Sequence, residues 1–391
     1  MSAVVPHPLK SPTLALLITM GLSSPALAAG NPELAAMQDE LNTVKEKLDM
    51  TLDMLENSAS QASAPSTTTL GGYGELHYNN LENQMTGGND KKEIDFHRFI
   101  LFLSHEFSDN VRLFSELEVE HAQADKNGGE VAIEQAYLEF DVAADTVSRA
   151  GIFLVPVGII NETHEPPTFY GVERNPVEKN IIPATWREGG VSLSGRLSPA
   201  LSYDLALHSG LETSLANNFT VRKGRNAVRE AAANDPAITA RIKWTGMPGL
   251  EVAAAMQRQT DVTQSTDATA GSATLLETHL VWQKGPMGLR ALYATWDLSG
   301  NGPANVGADE QNGWYIEPAY KLTPKLGFFA RYNQWDNQAG DNTDSEYVQT
   351  NIGANYWPHP DVVIKADYQT QDAPAGKDEF NGFNLGVGYQ F

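Results

Sequence analysis

From Leu70 to the end of the chain, apolar and polar residues alternate with a period of two. The last nine residues show it most cleanly: Phe383, Leu385, Val387, Tyr389 and Phe391 are large and apolar, while Asn384, Gly386, Gly388 and Gln390 between them are not. Val111, Leu113, Leu117 and Val119 alternate with Arg112, Glu116, Glu118 and Glu120 in the same way, as do Ile238, Ala240, Ile242 and Trp244 with Thr239, Arg241 and Lys243. Such alternation places one set on each face of a β-strand. Segments with this pattern predict sixteen strands, at 70–79, 94–107, 111–122, 131–142, 147–158, 187–197, 201–211 and 238–246 in the first half. The second half predicts 250–260, 273–284, 287–298, 313–322, 326–336, 346–357, 361–370 and 380–391.

The connections alternate as well. Short turns rich in Pro, Gly, Asn or Asp (Ser108-Asp109-Asn110, 143–146, Ser198-Pro199-Ala200, Met247-Pro248-Gly249, Gly285-Pro286, Thr323-Pro324-Lys325, His359-Pro360-Asp361) take turns with longer polar stretches. The long connections are 80–93, 123–130, 159–186, 212–237, 261–272, 299–312, 337–345 and 371–379. Strict alternation of short and long is what an even-stranded up-and-down barrel with both termini on the short-turn side requires. A soluble sandwich needs no such alternation and turns a polar face outward. A closed barrel of this size with its apolar face outward suits lipid, and closure pairs every backbone group, as lipid demands. Aromatic residues near strand ends (Trp244, Trp282, Trp296, Trp314, Tyr320, Trp357, Tyr389 and Phe391) are expected to form interfacial girdles. The expected fold class is therefore all-β: a sixteen-stranded antiparallel transmembrane β-barrel over 70–391.

Upstream of the barrel the pattern changes. Lys10, the apolar stretch Leu14 to Leu22 and Ala26-Leu27-Ala28 read as a signal peptide over 1–28. Between 29 and 57, Leu34, Leu41, Leu48 and Leu55 recur every seven residues, with Met37 and Val44 three places after the first two. This heptad predicts a short α-helical coiled-coil extension, with Asn31 as cap and Pro32 in its first turn. Residues 58–69 have no periodicity and read as a linker.

Composition reverses a first impression. No stretch reaches the 18 or so consecutive apolar residues of a spanning helix, yet alternating strands can face lipid without ever forming such a run. There are 33 Gly, 13 Tyr, 14 Phe and 7 Trp, which suits a barrel wall. The absence of Cys removes thiolate chemistry. The net charge of −22, or −23 once Lys10 leaves with the signal, argues against nucleic acid as a partner.

Signal peptide, alternating strands and a last strand ending in Tyr389 and Phe391 resemble the Gram-negative outer-membrane porins, and the heptad helix resembles the trimeric members that carry a periplasmic coiled coil. The resemblance implies a homotrimer in the cell outer membrane, in contact with lipid and lipopolysaccharide, with the N-terminal helix in the periplasm. It also implies that Tyr389 and Phe391 serve as the signal read by the barrel-assembly machinery. The implied function is a water-filled channel for passive diffusion of small hydrophilic solutes and ions. A substrate-specific uptake channel (for an iron chelate, an organic acid or a phosphate-type anion) and a structural or adhesive barrel are the alternatives.

Parity assigns the lumen. Its acidic candidates are Glu116, Glu118, Glu120, Glu139 and Asp141; its basic candidates are Arg98, Arg112, Arg196, Arg241, Lys243, Arg290, Arg331 and Lys365. Acids concentrate on early strands and bases on later ones, which predicts a transverse field across the pore. The third long loop, 159–186, has four Pro and the apolar residues Phe169, Tyr170, Ile181, Ile182 and Trp186, more than a solvated loop needs. It therefore packs against something, either folded into the lumen or over a neighbouring subunit. The porin resemblance implies the lumen, which makes the loop the candidate constriction, with Glu162, His164, Glu165, Glu173, Arg174, Glu178, Lys179 and Arg187 setting its size and charge. Its acids outnumber its bases, so a weak cation preference is expected. His164 between Glu162 and Glu165 matches no ligand spacing, so no metal or other cofactor is expected. No motif for catalysis is present.

Overall fold

A computed structural model describes residues 67–124 and 128–391, together with Asn42 and Lys47. The chain divides into two compact units, 1–63 and 64–391. The signal peptide, nearly all of the heptad helix and most of the linker lie outside the described residues; Asn42 and Lys47 are helical and exposed.

The second unit is one closed antiparallel barrel of sixteen strands in sequence order, with the first paired to the last. The strands are β1 (Thr68–Asn83), β2 (Lys91–Ser108), β3 (Val111–Glu120), β4 (Val131–Ala143), β5 (Thr146–Leu154), β6 (Arg187–Ser198), β7 (Leu201–His208) and β8 (Ala237–Met247). The second half comprises β9 (Leu250–Gln259), β10 (Ala273–Lys284), β11 (Met287–Leu298), β12 (Glu310–Thr323), β13 (Leu326–Asp336), β14 (Tyr347–His359), β15 (Val362–Asp372) and β16 (Phe380–Gln390). Every predicted strand is present. The eight long loops between them are called L1 to L8 in order.

Closure runs through the last strand. Tyr73 pairs with Gln390 and Tyr78 with Leu385. The amide of Phe391 donates to the Gly72 carbonyl at 2.9 Å, and that of Gly72 to the Phe391 carbonyl at 3.0 Å. Burial along the strands is inverted relative to a soluble protein: Phe383, Leu385 and Val387 are exposed while Asn384 is fully buried. Apolar residues therefore form most of the outer surface and polar ones most of the lining, and closure leaves no free sheet edge to lipid.

Three predicted boundaries shift for local reasons. β5 stops at Leu154 rather than at 158, because Pro156 has no N–H for the ladder and Gly158 takes a left-handed φ of 79°. β3 ends at Glu120, where His121 and Ala122 turn left-handed. β1 begins at Thr68, taking two residues from the expected linker.

One part of the wall departs from the outward-apolar rule. Leu275 on β10, Leu292, Ala294 and Trp296 on β11 and Tyr315 on β12 face inward and form a buried cluster with loop residues. In β11 both parity sets are apolar, as in a strand covered on both faces. Trp296 is thus not a girdle residue. Trp357 is not one either: its indole N–H donates to the Pro167 carbonyl in L3. Trp244, Trp314 and Tyr320 are exposed, as expected of the girdle.

Candidate pore constriction

L3 spans 155–186, between β5 and β6, and folds into the barrel. Asn161 closes its neck: the side-chain amide donates to the carbonyls of Val155 (2.8 Å) and Trp186 (3.0 Å) and accepts from the Trp186 amide (2.6 Å). A short helix, α1 (Pro176–Asn180), follows the tip, with Pro in its first turn and Asn175 capping the amides of Val177 and Glu178. α1 and the residues after it present Val177, Ile181, Ile182 and Trp186 to the apolar wall of β10 to β12. Trp296 donates to the Ile181 carbonyl at 2.8 Å. Glu178 is buried beneath the loop, where its carboxyl accepts from the amides of Ile159 and Ile160 and from the Tyr315 hydroxyl. Burial raises its pKa, against those donors. Removing this acceptor by Glu178→Ala should cost about 1–3 kcal/mol for each orphaned buried donor. Limited proteolysis should then cut within L3 faster than in the unaltered chain while the barrel stays resistant.

The tip crosses to the opposite strands. The Val172 amide donates to Asp367 on β15 at 2.8 Å, and Asn355 on β14 donates to the Phe169 carbonyl at 3.0 Å. Arg290 reaches the Thr168 carbonyl at 2.9 Å, and Lys365 lies over the Phe169 ring at 3.4 Å. Pro166 seats on Gly388 of β16, where an added Cβ would stand 2.2 Å from the Pro166 ring. Glu173 meets His77 (3.2 Å) and Asn79 (3.1 Å) on β1, and Glu162 pairs with Arg241 on β8. His164 lies between Glu116 (3.7 Å) and Glu134 (3.5 Å).

Burial alone would favour a neutral His164, but the two carboxylates outweigh it and hold its pKa up to about 10. A folded value above the free value of 6.5 means this anchor is complete below that pH and is lost as pH rises through about 10. Single-channel traces should therefore grow noisier above about pH 10, and His164→Ala should show the same noise at neutral pH.

Two cavities lie on either side of the crossing. The larger, about 690 Å³, is lined by β1 to β4, L3, L4 and the ends of β13 to β16. The smaller, about 330 Å³, is lined by Glu116, Tyr137, Arg149, Glu162, His164 and Glu165 among others. A wide barrel narrowed by an inward third loop is the geometry of a diffusion channel, and the sequence agrees: residues 54–376 match the profile of the Gram-negative porins.

The chain belongs to the Gram-negative porin family.

An uncharacterized protein of Aquifex aeolicus (strain VF5) is 32% identical to this porin over 342 residues, covering 79% of this chain and 77% of the relative. The outer membrane channel DcaP of Acinetobacter baumannii superposes with a TM-score of 0.58 at 16% identity, over 84% of this chain and 99% of that one. An anion-selective porin from Comamonas acidovorans gives 0.57 at 12% identity, over 83% and 100%. A trimer form of OmpT, an outer membrane protein of Vibrio cholerae, gives 0.54 at 13% identity, over 84% and 100%. The structural likenesses concern the fold. The protein is an outer-membrane β-barrel channel for small solutes.

Within the porin, the expected constriction residues separate into three groups. Glu162, His164 and Glu173 are anchors tied to the wall. Arg174, Lys179 and Arg187 line the larger cavity, and Glu165 the smaller. Glu178, expected to charge the eyelet, faces away from both cavities, because burial under L3 satisfies backbone donors there.

The lumen-wall candidates divide similarly. Arg98 pairs with Glu75 at 2.7 Å and stands 3.9 Å from Glu118, and with Glu120 these line the larger cavity. Arg112 pairs with both Glu139 and Asp141 toward the short-turn end, and Arg196 pairs with Asp145 at the rim. Of the lumen-wall candidates, Arg112, Glu139, Asp141 and Arg196 thus carry their charge toward the short-turn rim. The bases of the later strands do not form one arm of a transverse field. Arg241 and Arg331 are ion-paired with Asp204 and Glu317, Lys243 with Glu251, and Arg290 and Lys365 hold L3. The bases that share a cavity with the early-strand acids are Lys91 and Arg98 of β2, Arg187 at the start of β6, and four from loops: Arg174 and Lys179 in L3, Arg222 and Arg225 in L4. Burial and mutual repulsion lower the pKa of Arg222 to about 9, and burial lowers those of Arg225 and Lys179.

Strand parity missed Glu134 for a definable reason. A β-bulge sets Glu116 opposite Gln135 and Leu117 opposite Ile133, so Glu134 is the extra residue and changes face. Asn161 and the L4 arginines had no periodic signal at all. Glu75 and His77 did: they share the inward parity of Asn79 in the first strand.

Proposed function

We propose that this porin passes small hydrophilic solutes and ions by passive diffusion around L3, with a weak preference for cations. The observation that carries the reading is the docking of L3 across the lumen, with polar cavities left on both sides. Cation preference is supported by the external mouth, where Asp90, Asp341, Asp344, Glu346 and Asp378 are exposed. The lining of the larger cavity limits it: six carboxylates (Glu75, Glu118, Glu120, Glu130, Glu134 and Glu173) meet seven bases (Lys91, Arg98, Arg174, Lys179, Arg187, Arg222 and Arg225). The reversal potential in a salt gradient across a planar bilayer tests this. A modest shift toward the cation potential is expected, and preferential anion permeation overturns it.

The trimeric form of the Vibrio cholerae neighbour supports a homotrimer here. In this reading the 1–28 segment is a cleaved signal, the 29–57 helix forms a periplasmic coiled coil joined by 58–69, and the barrel-assembly machinery reads Tyr389 and Phe391. Lipid and lipopolysaccharide contact the outward apolar face. The molecule acts as a channel and not as an enzyme.

A second reading has one observation in its favour. Arg174, Lys179, Arg222 and Arg225 share a cavity wall with no ion-pair partner among the described residues. That would suit an anion-specific channel for an organic acid or a phosphate-type solute. Saturable block of the ionic current by one such anion would favour it over general diffusion.

A further inference from the structure

The geometry points to a binding site for one divalent transition-metal ion of the zinc class on the wall of the larger cavity, formed by His77, His97 and Glu173. One ligand atom from each of the three lies within 4.8 Å of the others. All three residues line the cavity, so an ion has a route to them. In a tetrahedral shell with bonds of about 2.0–2.2 Å, ligand atoms stand about 3.3–3.6 Å apart. The His77 and Glu173 atoms are already at 3.2 Å, and His97 enters the shell by rotating out of its stack on His77, so that the two in-plane nitrogen lone pairs converge on the ion.

The chain builds this arrangement with a specific backbone device. His77 takes the inward parity of β1. On β2 the register slips, with Glu75 opposite Arg98 but His77 opposite Asp95. The extra residue of this bulge lets Asp95, His97 and Arg98 contribute to one inner face. The two imidazoles stack with centroids 4.6 Å apart and an interplanar angle of 16°.

Each imidazole also has a carboxylate on a second side. His97 Nδ1 is 3.1 Å from Asp95, and His77 Nε2 is 3.3 Å from Glu75. A carboxylate on one ring nitrogen is the arrangement that orients a metal-bound histidine and raises its basicity. Asp95 is fixed in turn by His121, whose left-handed backbone at φ 56° brings its ring to 2.9 Å. Two imidazole nitrogens and a carboxylate select zinc, copper, nickel or iron over calcium or magnesium, which take oxygen shells. The cations on the same wall, Arg98 and Lys91, are each paired with a carboxylate outside the triad, Glu75 and Glu93. Glu173 belongs to L3, so an ion here would join the loop to β1 and β2. The site goes beyond the diffusion reading and does not depend on it.

The test is calorimetric titration of zinc chloride into the full-length protein in detergent, after removal of metal by chelation. One zinc per chain is expected, with affinity reduced at least tenfold in His97→Ala and in Glu173→Gln, and by about 10–100-fold in Asp95→Asn. No saturable binding overturns the proposal. So does binding that survives His97→Ala, which would place the ion at the Glu116, Glu134 and His164 group instead. Should a variant fail to give the heat-modifiable barrel, X-ray absorption on the zinc-loaded unaltered protein decides. Two imidazole nitrogens at about 2.0–2.1 Å, retained in His121→Ala, support the site; an all-oxygen shell, or a nitrogen lost in His121→Ala as the Asp95, His97 and His121 group would require, overturns it.

Discussion

Replacing residues 163–173 of L3 with a short Gly/Ser segment raises single-channel conductance several-fold. The excised stretch contains the groups that cross the lumen: His164 against Glu116 and Glu134, Pro166 on Gly388, Val172 on Asp367 and Glu173 on His77. Without them the two cavities join, and the narrowest section becomes the sixteen-stranded wall, wide enough for an aqueous channel. The neck held by Asn161 and the apolar seat of α1 both remain, so the barrel and the base of L3 are retained. Conductance steps in a planar bilayer give the answer. Unchanged steps would show that current does not pass the crossing, and the constriction would have to be sought elsewhere.

Trp186→Ala lowers stability by about 3–5 kcal/mol, the range for deleting a fully buried large aromatic. Trp186 is 0% exposed, packs against Trp296 with centroids 6.0 Å apart, and donates to Glu188 at 2.8 Å. Its removal opens a void and leaves the buried Glu188 with Ser209 as its remaining side-chain donor. The temperature at which the heat-modifiable band converts to the unfolded one should fall clearly. Trp282→Ala provides the contrast. That residue sits on the outer face of β10 in phase with exposed Leu276, so the same deletion leaves no internal cavity. Equal losses in the two variants would show that Trp186 gains nothing from its place under L3.

Much of this architecture was legible in the alternation of residue types. Phe383 to Phe391 reads as an outward apolar row and an inward small or polar row, and the barrel closes through that strand. The Pro, Gly, Asn and Asp turns are short because each joins strands already neighbours in sequence. The apolar content of L3 correctly indicated a packed loop, and in β11 the apolar inner set was the matching signal on the wall. Glu178 shows where the reading stops. A carboxylate in a polar loop carries no mark saying whether it will meet solvent or the amides of Ile159 and Ile160. Glu134 shows another limit, since a single bulge changes the face of a residue without altering composition.

By itself the sequence determined the number of strands, their order, the apolar exterior and that the third loop is packed rather than solvated; that it packs into the lumen was decided by the tertiary structure. These follow from a period of two and from turn chemistry, which are local. Only the tertiary structure decided which charges are free in the pore and which are spent on holding L3. Arg241, Arg290 and Lys365 look like pore bases in the strand pattern, yet each reaches the loop or its partners. His77 and His97 sit twenty residues apart in sequence, and Glu173 is far from both. Their meeting depends on a bulge in β2 and on the path of a folded loop, and neither is written in the periodicity of any one strand.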